Sequence, residues 1–240
     1  MQPPNLRRPN FLFIITDQQK AEHLGCYGHK QVRTPNIDRL AARGWCADRM
    51  FVATPICMPN RATLVTGRMP SAHGVRHNGI PLSLDATTIV HLLRDAGYRT
   101  ALIGKSHLQN FTGTPSVAPK RNYPGDPPAP ARAEAWSDGH GAAAYQQEWP
   151  PRWEDPDFEM QLPFYGFERV RLCIEHGDEV GGHYHRWLRE RHPAADTLRG
   201  AQNAEPTPGI ACPQAWRTRV PEELYTSAFV ADETIRALKD

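Results

Sequence analysis

The chain has 240 residues, of which 40% are hydrophobic and 22% are charged, and its formal net charge at pH 7 is only +2. A chain of this length can bury a core as one large domain or two small ones, and its charge gives no indication of nucleic acid or an acidic membrane surface as a partner. The five cysteines are odd in number and include no Cys-x-x-Cys pair, which argues against a disulfide framework or a structural zinc site.

The first apolar run, residues 11–16, is too short for a signal sequence or a membrane span, so we predict a cytoplasmic protein. Because the run is continuous rather than alternating, it favours a central strand that is covered on both faces of a sheet. Asp17 and Gln18 follow it directly, and open α/β sheets bind ligands just past the carboxyl ends of their strands. Asp17 is thus placed to bind a metal, the alternative being an aspartate that caps a turn.

A glycine-rich loop at residues 25–28 is followed by a predicted helix. Thr34 is its expected cap, Pro35 its first residue and Gly44 its end. We interpret this part of the chain as scaffold.

Residues 55–68 read PICMPNRATLVTGR and predict a second helix with Pro59 in its first turn. Cys57 would then lie at the end of the helix whose N–H groups and dipole favour negative charge. Arg61 follows one turn later on the same face, and its planar guanidinium suits a tetrahedral oxyanion. The segment therefore suggests an anion site around a reactive sulfur, the alternative being a buried cysteine at a helix start.

Asn78 stands in an Asn-Gly pair that predicts a turn.

Residues 85–97 predict a helix with Ile89, Leu92, Leu93 and Ala96 on one apolar face, and residues 98–103 predict a strand. Lys105 and His107 come at the carboxyl end of that strand. A lysine binds phosphate or sulfate as a point charge, and a histidine titrates in the range useful for proton transfer. Asp17 and Cys57 also lie at the ends of predicted elements. We therefore expect Lys105 and His107 to form one site together with them.

Residues 111–163 are rich in proline, glycine and alanine without a clear period, so we predict long irregular loops. Their aromatic residues either line a pocket or anchor the loops to the body of the protein. These residues are Trp136, Tyr145, Trp149, Trp153, Phe158, Phe164 and Tyr165, the last two just beyond the loops.

Residues 167–174 alternate apolar and polar side chains and predict a half-buried strand. The His183-x-His185 pair that follows is a poor zinc site, because helical residues two apart point in different directions. Residues 222–239 predict a closing amphipathic helix. Its expected apolar face consists of Leu224, Ala228, Ala231, Ile235 and Leu238.

The segment around Cys57 resembles the signature of the type I sulfatases, a branch of the alkaline phosphatase superfamily. The matching residues are Cys57, Pro59, Arg61, Leu64, Thr66, Gly67 and Arg68. Residues 104–108 resemble the Gly-Lys-x-His-Leu element of the same family. The resemblance implies an α/β fold, with a mostly parallel sheet between helices. It also implies that Cys57 is oxidised to formylglycine, whose hydrated aldehyde attacks a sulfate ester.

The resemblance further implies a role for each candidate residue. Asp17 and the modified Cys57 bind one divalent cation, with Ca²⁺ as the expected ion and Mg²⁺ or Mn²⁺ as alternatives. Gln18 replaces the usual second aspartate and binds either the metal or the substrate. Arg61 and Lys105 neutralise developing charge. The resemblance also implies that His107 transfers a proton and that Asn78 faces the substrate.

The partners that the resemblance implies are a small-molecule sulfate or phosphonate ester and a formylglycine-generating enzyme. Whether the chain forms a homo-oligomer is left undecided by the sequence. The resemblance covers the amino-terminal part of a family member. We therefore expect residues 1–240 to be a partial catalytic domain, with a loop insertion at about 111–163, that binds metal weakly and turns over little substrate. The alternatives are a phosphonate monoester or phosphodiester hydrolase, and a catalytically silent remnant that binds an anion or a partner.

Overall fold

The computed structural model describes residues 8–112, 143–209, 212 and 214–240. The chain divides into two compact units, Met1–Phe51 and Val52–Asp240. Within the described residues, no helix combines the length and the apolar composition needed to cross a bilayer.

The first unit contains the predicted scaffold helix, α1 (Pro35–Arg43), preceded by short 3-10 turns at Ala21–His23 and Gly25–Tyr27. The helix begins and ends as predicted, but the Thr34 hydroxyl does not cap an N–H group of the helix. It donates instead to Asp38 Oδ1 (2.9 Å) and accepts from the Gly25 N–H (2.8 Å). The first turn of α1 therefore holds the glycine-rich loop.

Residues 11–16 do not form the predicted strand. Phe13 and Ile14 are 74% and 71% exposed. A strand is stable only when its backbone N–H and C=O groups bond to a neighbouring strand. The described part of the first unit contains helix and turns but no strand. The apolar sequence alone therefore did not decide the structure of this run.

The second unit contains a small mixed sheet. Strand β1 (Ala101–Gly104) pairs in parallel with β2 (Arg169–Ile174), which pairs antiparallel with β3 (Gly181–Gly182). β2 lies within its predicted range of residues 167–174, whereas β1 begins three residues later and ends one residue later than the predicted strand at residues 98–103. Since β1 and β2 are parallel neighbours, the residues that follow them lie along the same edge of the sheet.

Helices cover both faces of this sheet, which confirms the predicted α/β architecture. The helices that the structure describes in the second unit are α2 (Cys57–Thr66), α3 (Pro70–His73), α4 (Ile89–Asp95), α5 (Pro150–Trp153), α6 (His183–Arg191) and α7 (Thr226–Lys239). Successive side chains of β2 point to opposite faces and enter two hydrophobic clusters. One cluster contains Val170, Leu172 and Ile174 of β2 with Met58 and Ala62 of α2. The other contains Cys173 of β2 with Tyr184, Trp187 and Leu188 of α6 and Phe229 of α7.

Helix α4 begins four residues later than predicted because Thr88 caps it. The Thr88 hydroxyl accepts from the His91 N–H (3.3 Å), and His91 Nδ1 accepts from the Thr88 N–H (3.2 Å). The predicted apolar face is wrong. Val90 is the buried residue of α4, while Ile89 and Leu92 are 52% and 56% exposed.

The predicted buried face of α7 is also wrong. The helix buries Phe229 and Glu233, while Ile235 and Leu238 are exposed. Two interactions hold this face against the sheet: Phe229 packs in the cluster with Tyr184 and Trp187, and Glu233 Oε2 lies 2.9 Å from Arg171 Nε on β2. The ion pair gives the buried acid the charged partner that it needs when taken out of water.

The aromatic residues of the loop segment anchor it to the body of the second unit. Residues 143–163 contain a 3-10 turn (Ala143–Tyr145) and α5 and are otherwise irregular. The aromatic residues here that are buried are Tyr145, Trp153, Phe158, Phe164 and Tyr165. Trp149 is half-buried, while Trp136 and the loops predicted over residues 113–142 lie outside the described residues.

Candidate functional site

Helix α2 begins at Cys57, so this half-buried side chain lies at the amino-terminal end of a 10-residue helix. Ile56, at the cap position, contributes no side-chain hydrogen bond, and Pro59 has no N–H to donate. The remaining first-turn N–H groups and the helix dipole favour negative charge at this end. Gly67 ends the helix in the left-handed conformation (φ 66°), which its lack of a Cβ permits.

Asn78 contacts the first turn of α2. Its Oδ1 accepts a hydrogen bond from the Met58 N–H (3.0 Å), and the neighbouring Gly79 N–H donates to Met58 Sδ (3.0 Å). Gly79 has a left-handed backbone (φ 100°), so the Asn-Gly turn is present. The turn therefore places the Asn78 amide directly beside the residue that follows Cys57.

Arg61 joins α2 to the edge of the sheet. Its side chain is buried, and Nη1 donates to the carbonyl oxygen of Lys105 at 2.8 Å. Lys105 is the residue that follows β1. Because charged donors make strong hydrogen bonds, this bond fixes the helix that begins at Cys57 to the segment that carries Lys105.

The Lys105 ammonium lies beside a histidine from the neighbouring strand end. Nζ is 3.3 Å from His176 Nδ1 and 5.6 Å from the centroid of the Phe111 ring. An ammonium only donates, so His176 Nδ1 is the acceptor in this contact. His176 was not among the predicted site residues. His176 could have been predicted from its place two residues beyond the predicted strand at residues 167–174, because neighbouring parallel strands end at the same edge of a sheet.

His107 is buried and has a left-handed backbone (φ 52°), which residues other than glycine adopt rarely. Its ring stacks on Phe111 with the centroids 3.9 Å apart. Phe111 also meets the His176 ring edge-on at 6.0 Å. The two histidines and Lys105 therefore share one aromatic neighbour.

Glu148 is fully buried directly behind this segment. Its Oε1 accepts from the His107 N–H (2.7 Å) and its Oε2 from the Gln109 N–H (2.6 Å). Burial raises the pKa of Glu148 to about 7, against the opposing effects of these backbone hydrogen bonds and of the Arg61 charge. Sequence reasoning missed Glu148 because its partners are backbone N–H groups, which no motif displays.

Asp17 and Gln18 lie in the first unit, and both are exposed. A shell that they share with Cys57, in the second unit, stays a prediction. Within the described ranges, no three or more His, Cys, Asp or Glu side chains form a group suited to a metal ion. The predicted set provides fewer than the six oxygens that Ca²⁺ normally takes. These residues therefore do not make a complete shell.

His183 and His185, the pair judged a poor zinc site, bind different partners. His183 Nδ1 accepts from the Leu172 N–H (3.0 Å), and His185 Nε2 lies 2.6 Å from Asp196 Oδ1. Burial, with the charges of Arg171 and Arg186, lowers the pKa of His183 to about 4. The two rings point away from a shared ligand, as helical positions two apart predict.

The family model described as "Sulfatase" matches residues 9–146, which is more than half of the chain. The uncharacterized sulfatase YidJ of Escherichia coli strain K12 is 37% identical over 136 residues, covering 56% of this chain and 25% of that protein. Steryl-sulfatase of Mus musculus is 43% identical over 118 residues, covering 44% of this chain and 19% of that protein.

Among solved structures, the phosphonate monoester hydrolase of Agrobacterium radiobacter has a similar fold, with a TM-score of 0.61 and 29% sequence identity. The similarity covers 97% of this chain and 38% of that one. The chain therefore spans only a minor part of the length of each of these relatives, although nearly all of it takes part in the structural match.

Proposed function

The chain belongs to the sulfatase family, and on that premise we propose that it hydrolyses sulfate esters at a site centred on Cys57. Its sulfatase relatives imply a family of sulfuric ester hydrolases. The observation that carries the proposal is the 2.8 Å hydrogen bond from Arg61 to the Lys105 carbonyl. It fixes the helix of the proposed nucleophile against the segment of a proposed cation, and an ester reacts fastest when both are held in place.

Cys57 is the proposed site of modification to formylglycine, which requires a formylglycine-generating enzyme as partner. The modified residue supplies the nucleophilic oxygen through its hydrated aldehyde. The position suits this group because Cys57 is half-buried at the end of α2 that favours negative charge. The Asn78 contact to the Met58 N–H supports that end of the helix.

Arg61 and Lys105 are the proposed cations that bind the sulfate group and stabilise its developing charge. The Arg61 guanidinium is a planar, permanently charged group with several N–H donors, a geometry that suits the oxygens of a tetrahedral sulfate. His176 accepts from the Lys105 ammonium and thereby orients it. A pre-oriented ammonium stabilises a transition state without reorganising during the reaction.

The remaining candidates act on the proton and on the ester oxygens. His107 is the proposed proton-transfer residue, and its stacking on Phe111 fixes the plane of its ring. Asn78 uses its carbonyl oxygen on Met58, so its NH₂ group is the part that can donate to a substrate oxygen. His176 joins the proposed substrate-side residues.

Asp17 and Gln18 remain proposed ligands of one divalent cation, with Ca²⁺ expected, and a cytoplasmic location also remains a proposal. Because the three predicted ligands do not complete a shell, no step above depends on the cation. For the same reason we expect residues 1–240 to turn over substrate far more slowly than a full-length sulfatase.

A phosphonate monoester hydrolase is the second candidate. Two observations favour it: the TM-score of 0.61 with the Agrobacterium radiobacter enzyme, and Gln18 in place of the second aspartate that the sulfatase resemblance implies. A phosphonate ester also presents a tetrahedral anionic centre, so the same cations would serve it.

The test begins with mass spectrometry of the peptide that carries Cys57, from protein made with and without a formylglycine-generating enzyme. Initial rates on an aryl sulfate and an aryl phosphonate ester follow, at saturating Ca²⁺. The variants are Cys57→Ala and the matched control Cys212→Ala, whose cysteine is exposed in the same unit.

An aldehyde at residue 57, with sulfate-ester hydrolysis that Cys57→Ala loses and Cys212→Ala keeps, supports the proposal. A higher kcat/KM on the phosphonate supports the second candidate instead. An unmodified thiol with no hydrolysis of either ester contradicts both and favours a silent, anion-binding remnant.

A further inference from the structure

The segment after β1 has a backbone that needs external support. Gly104 and His107 both have positive φ angles, of 105° and 52°. Glycine adopts such angles freely, but His107 does so only when its surroundings hold it there. The same short segment carries the side chains of Lys105 and His107, so whatever holds its backbone also decides where those side chains point.

Glu148 supplies that support. Its two carboxylate oxygens accept the N–H groups of His107 and Gln109, at 2.7 and 2.6 Å, and the side chain is 1% exposed. The Gln109 side chain in turn bonds to the backbone near Glu148: its Oε1 accepts from the Gln147 N–H (2.8 Å), and its Nε2 donates to the Ala144 carbonyl (2.9 Å). Residues 107–109 and 144–148 are thus joined by four hydrogen bonds.

We propose that Glu148 is a positioning residue, whose two bonds to backbone N–H groups hold residues 105–109 so that Lys105 and His107 face the ester group. This inference rests on the proposed function for the roles of Lys105 and His107. The bonds that Glu148 makes are to the backbone N–H groups of His107 and Gln109. Glu148 acts through the backbone that carries Lys105 and His107.

A carboxylate suits this position better than any neutral side chain of its size. Two N–H groups converge on Glu148, and only a carboxylate offers an acceptor oxygen to each of them. A glutamine would present its NH₂ group to one of the two donors. Placing a carboxylate here is unfavourable in itself, since burial raises the pKa of Glu148 to about 7. Glu148 is therefore an acid at a position where packing alone would favour a neutral residue.

The experiment compares Glu148→Gln and Glu148→Asp with wild type. Glu233→Gln is the matched control, since Glu233 is equally buried but pairs with Arg171 on β2. The first readout is amide hydrogen exchange at His107 and Gln109. The second is kcat and KM on an aryl sulfate and an aryl phosphonate ester. The third is the affinity for inorganic sulfate, followed through the amide resonances of residues 105–109.

In Glu148→Gln we expect exchange at His107 or Gln109 to rise about 10-fold or more, because one buried N–H loses its acceptor. We expect kcat to fall by about 10-fold with KM changed less than about 3-fold, since the misplaced groups act mainly in the transition state. Glu148→Asp restores both oxygens on a shorter side chain and should recover part of kcat. Glu233→Gln should leave kcat and these amides as in wild type.

Unchanged exchange in Glu148→Gln would overturn the inference, and so would increased exchange with unaltered kcat. If the wild type hydrolyses neither ester, the proposed function fails. Exchange and sulfate affinity then decide the role of Glu148: about 5-fold weaker sulfate binding in Glu148→Gln supports positioning, while equal affinity contradicts it.

Discussion

β1 and residues 11–16 are both short apolar runs that lead directly into residues proposed for the site. β1 pairs with β2 over four positions, and the segment that follows it is bonded to Arg61 and Glu148. Residues 11–16 enter no strand ladder in the described part of the chain, and Phe13 is 74% exposed. The comparison shows that an apolar run can form a strand, but that it does so only where a neighbouring strand pairs with its backbone.

The largest expected effect is the difference between alanine substitutions in the two regions. Leu172 of β2 is 0% exposed, so Leu172→Ala should lower the free energy of unfolding by about 2–5 kcal/mol through a cavity in the core. Ile14 is 71% exposed, so Ile14→Ala should change it by less than about 0.5 kcal/mol. Urea denaturation followed by circular dichroism measures both. Similar losses of unfolding free energy in the two variants would contradict the difference in packing between β2 and residues 11–16.

The next effect concerns the bond at the end of β1. Arg61→Ala removes the bond to the Lys105 carbonyl and a proposed charge-stabilising group, so kcat/KM on an aryl sulfate should fall by about 10²–10³-fold. Arg94→Ala is the control, because the ion pair between Arg94 and Asp95 is long (3.7 Å) and partly exposed. Loss of the same size in both variants would show that the effect is not specific to this bond.

A third effect is the response of stability to pH, for which Glu148 and the half-buried His183 act in opposite directions. The pKa of Glu148 is raised to about 7, so its contribution to stability is present at low pH and is lost as pH rises from about 4.5 to 7. The pKa of His183 is lowered to about 4, so its contribution is present above about 6.5 and is lost as pH falls toward 4.

Each group can change the free energy of unfolding by up to about 3 kcal/mol across its range. Relative to wild type, Glu148→Gln should therefore gain stability on going from pH 4.5 to 7, and His183→Gln should lose it from pH 4 to 6.5. Urea titrations at several pH values measure these slopes. Parallel profiles for the two variants would mean that neither group titrates as its burial implies.

The smallest expected effect concerns the start of α4. Thr88→Ala removes the cap on the His91 N–H and the hydrogen bond from the Thr88 hydroxyl to the Tyr165 carbonyl (2.9 Å), and should lower the free energy of unfolding by about 1–2 kcal/mol. Thr87→Ala, one residue earlier at an exposed position, should have almost no effect. Thermal unfolding of the two variants makes the comparison. An equal shift in Tm would argue that Thr88 does not determine where the helix begins.

The sequence was sufficient where the deciding interactions are local. Pro35 and Gly44 bound α1, and the run from Cys57 to Gly67 has the composition of a helix that begins and ends at those residues. The strand that leads into Lys105 was likewise predicted from a short apolar run after a helix. Each of these features depends on backbone preferences within a few residues of chain.

The sequence was insufficient where distant residues decide. Phe229, packed in the aromatic cluster, and Glu233, paired with Arg171, lie on the buried face of α7, whereas the apolar pattern alone points to the opposite face. Glu148 and His176 reach the candidate site only because a strand pairing and a buried loop bring them there. Such contacts join residues tens of positions apart, so no local period or motif displays them.

The parallel pairing of β1 with β2 also constrains how the protein is made. Thr100 and Glu168, which hydrogen-bond at the start of this pairing, are 68 positions apart in the chain. During translation at roughly 5–20 residues per second, Cys57 and β1 leave the ribosome several seconds before their sheet partner exists. For that interval the helix that begins at Cys57 cannot pack on Leu172 and Ile174, so the core of the second unit forms only after β2 has been made.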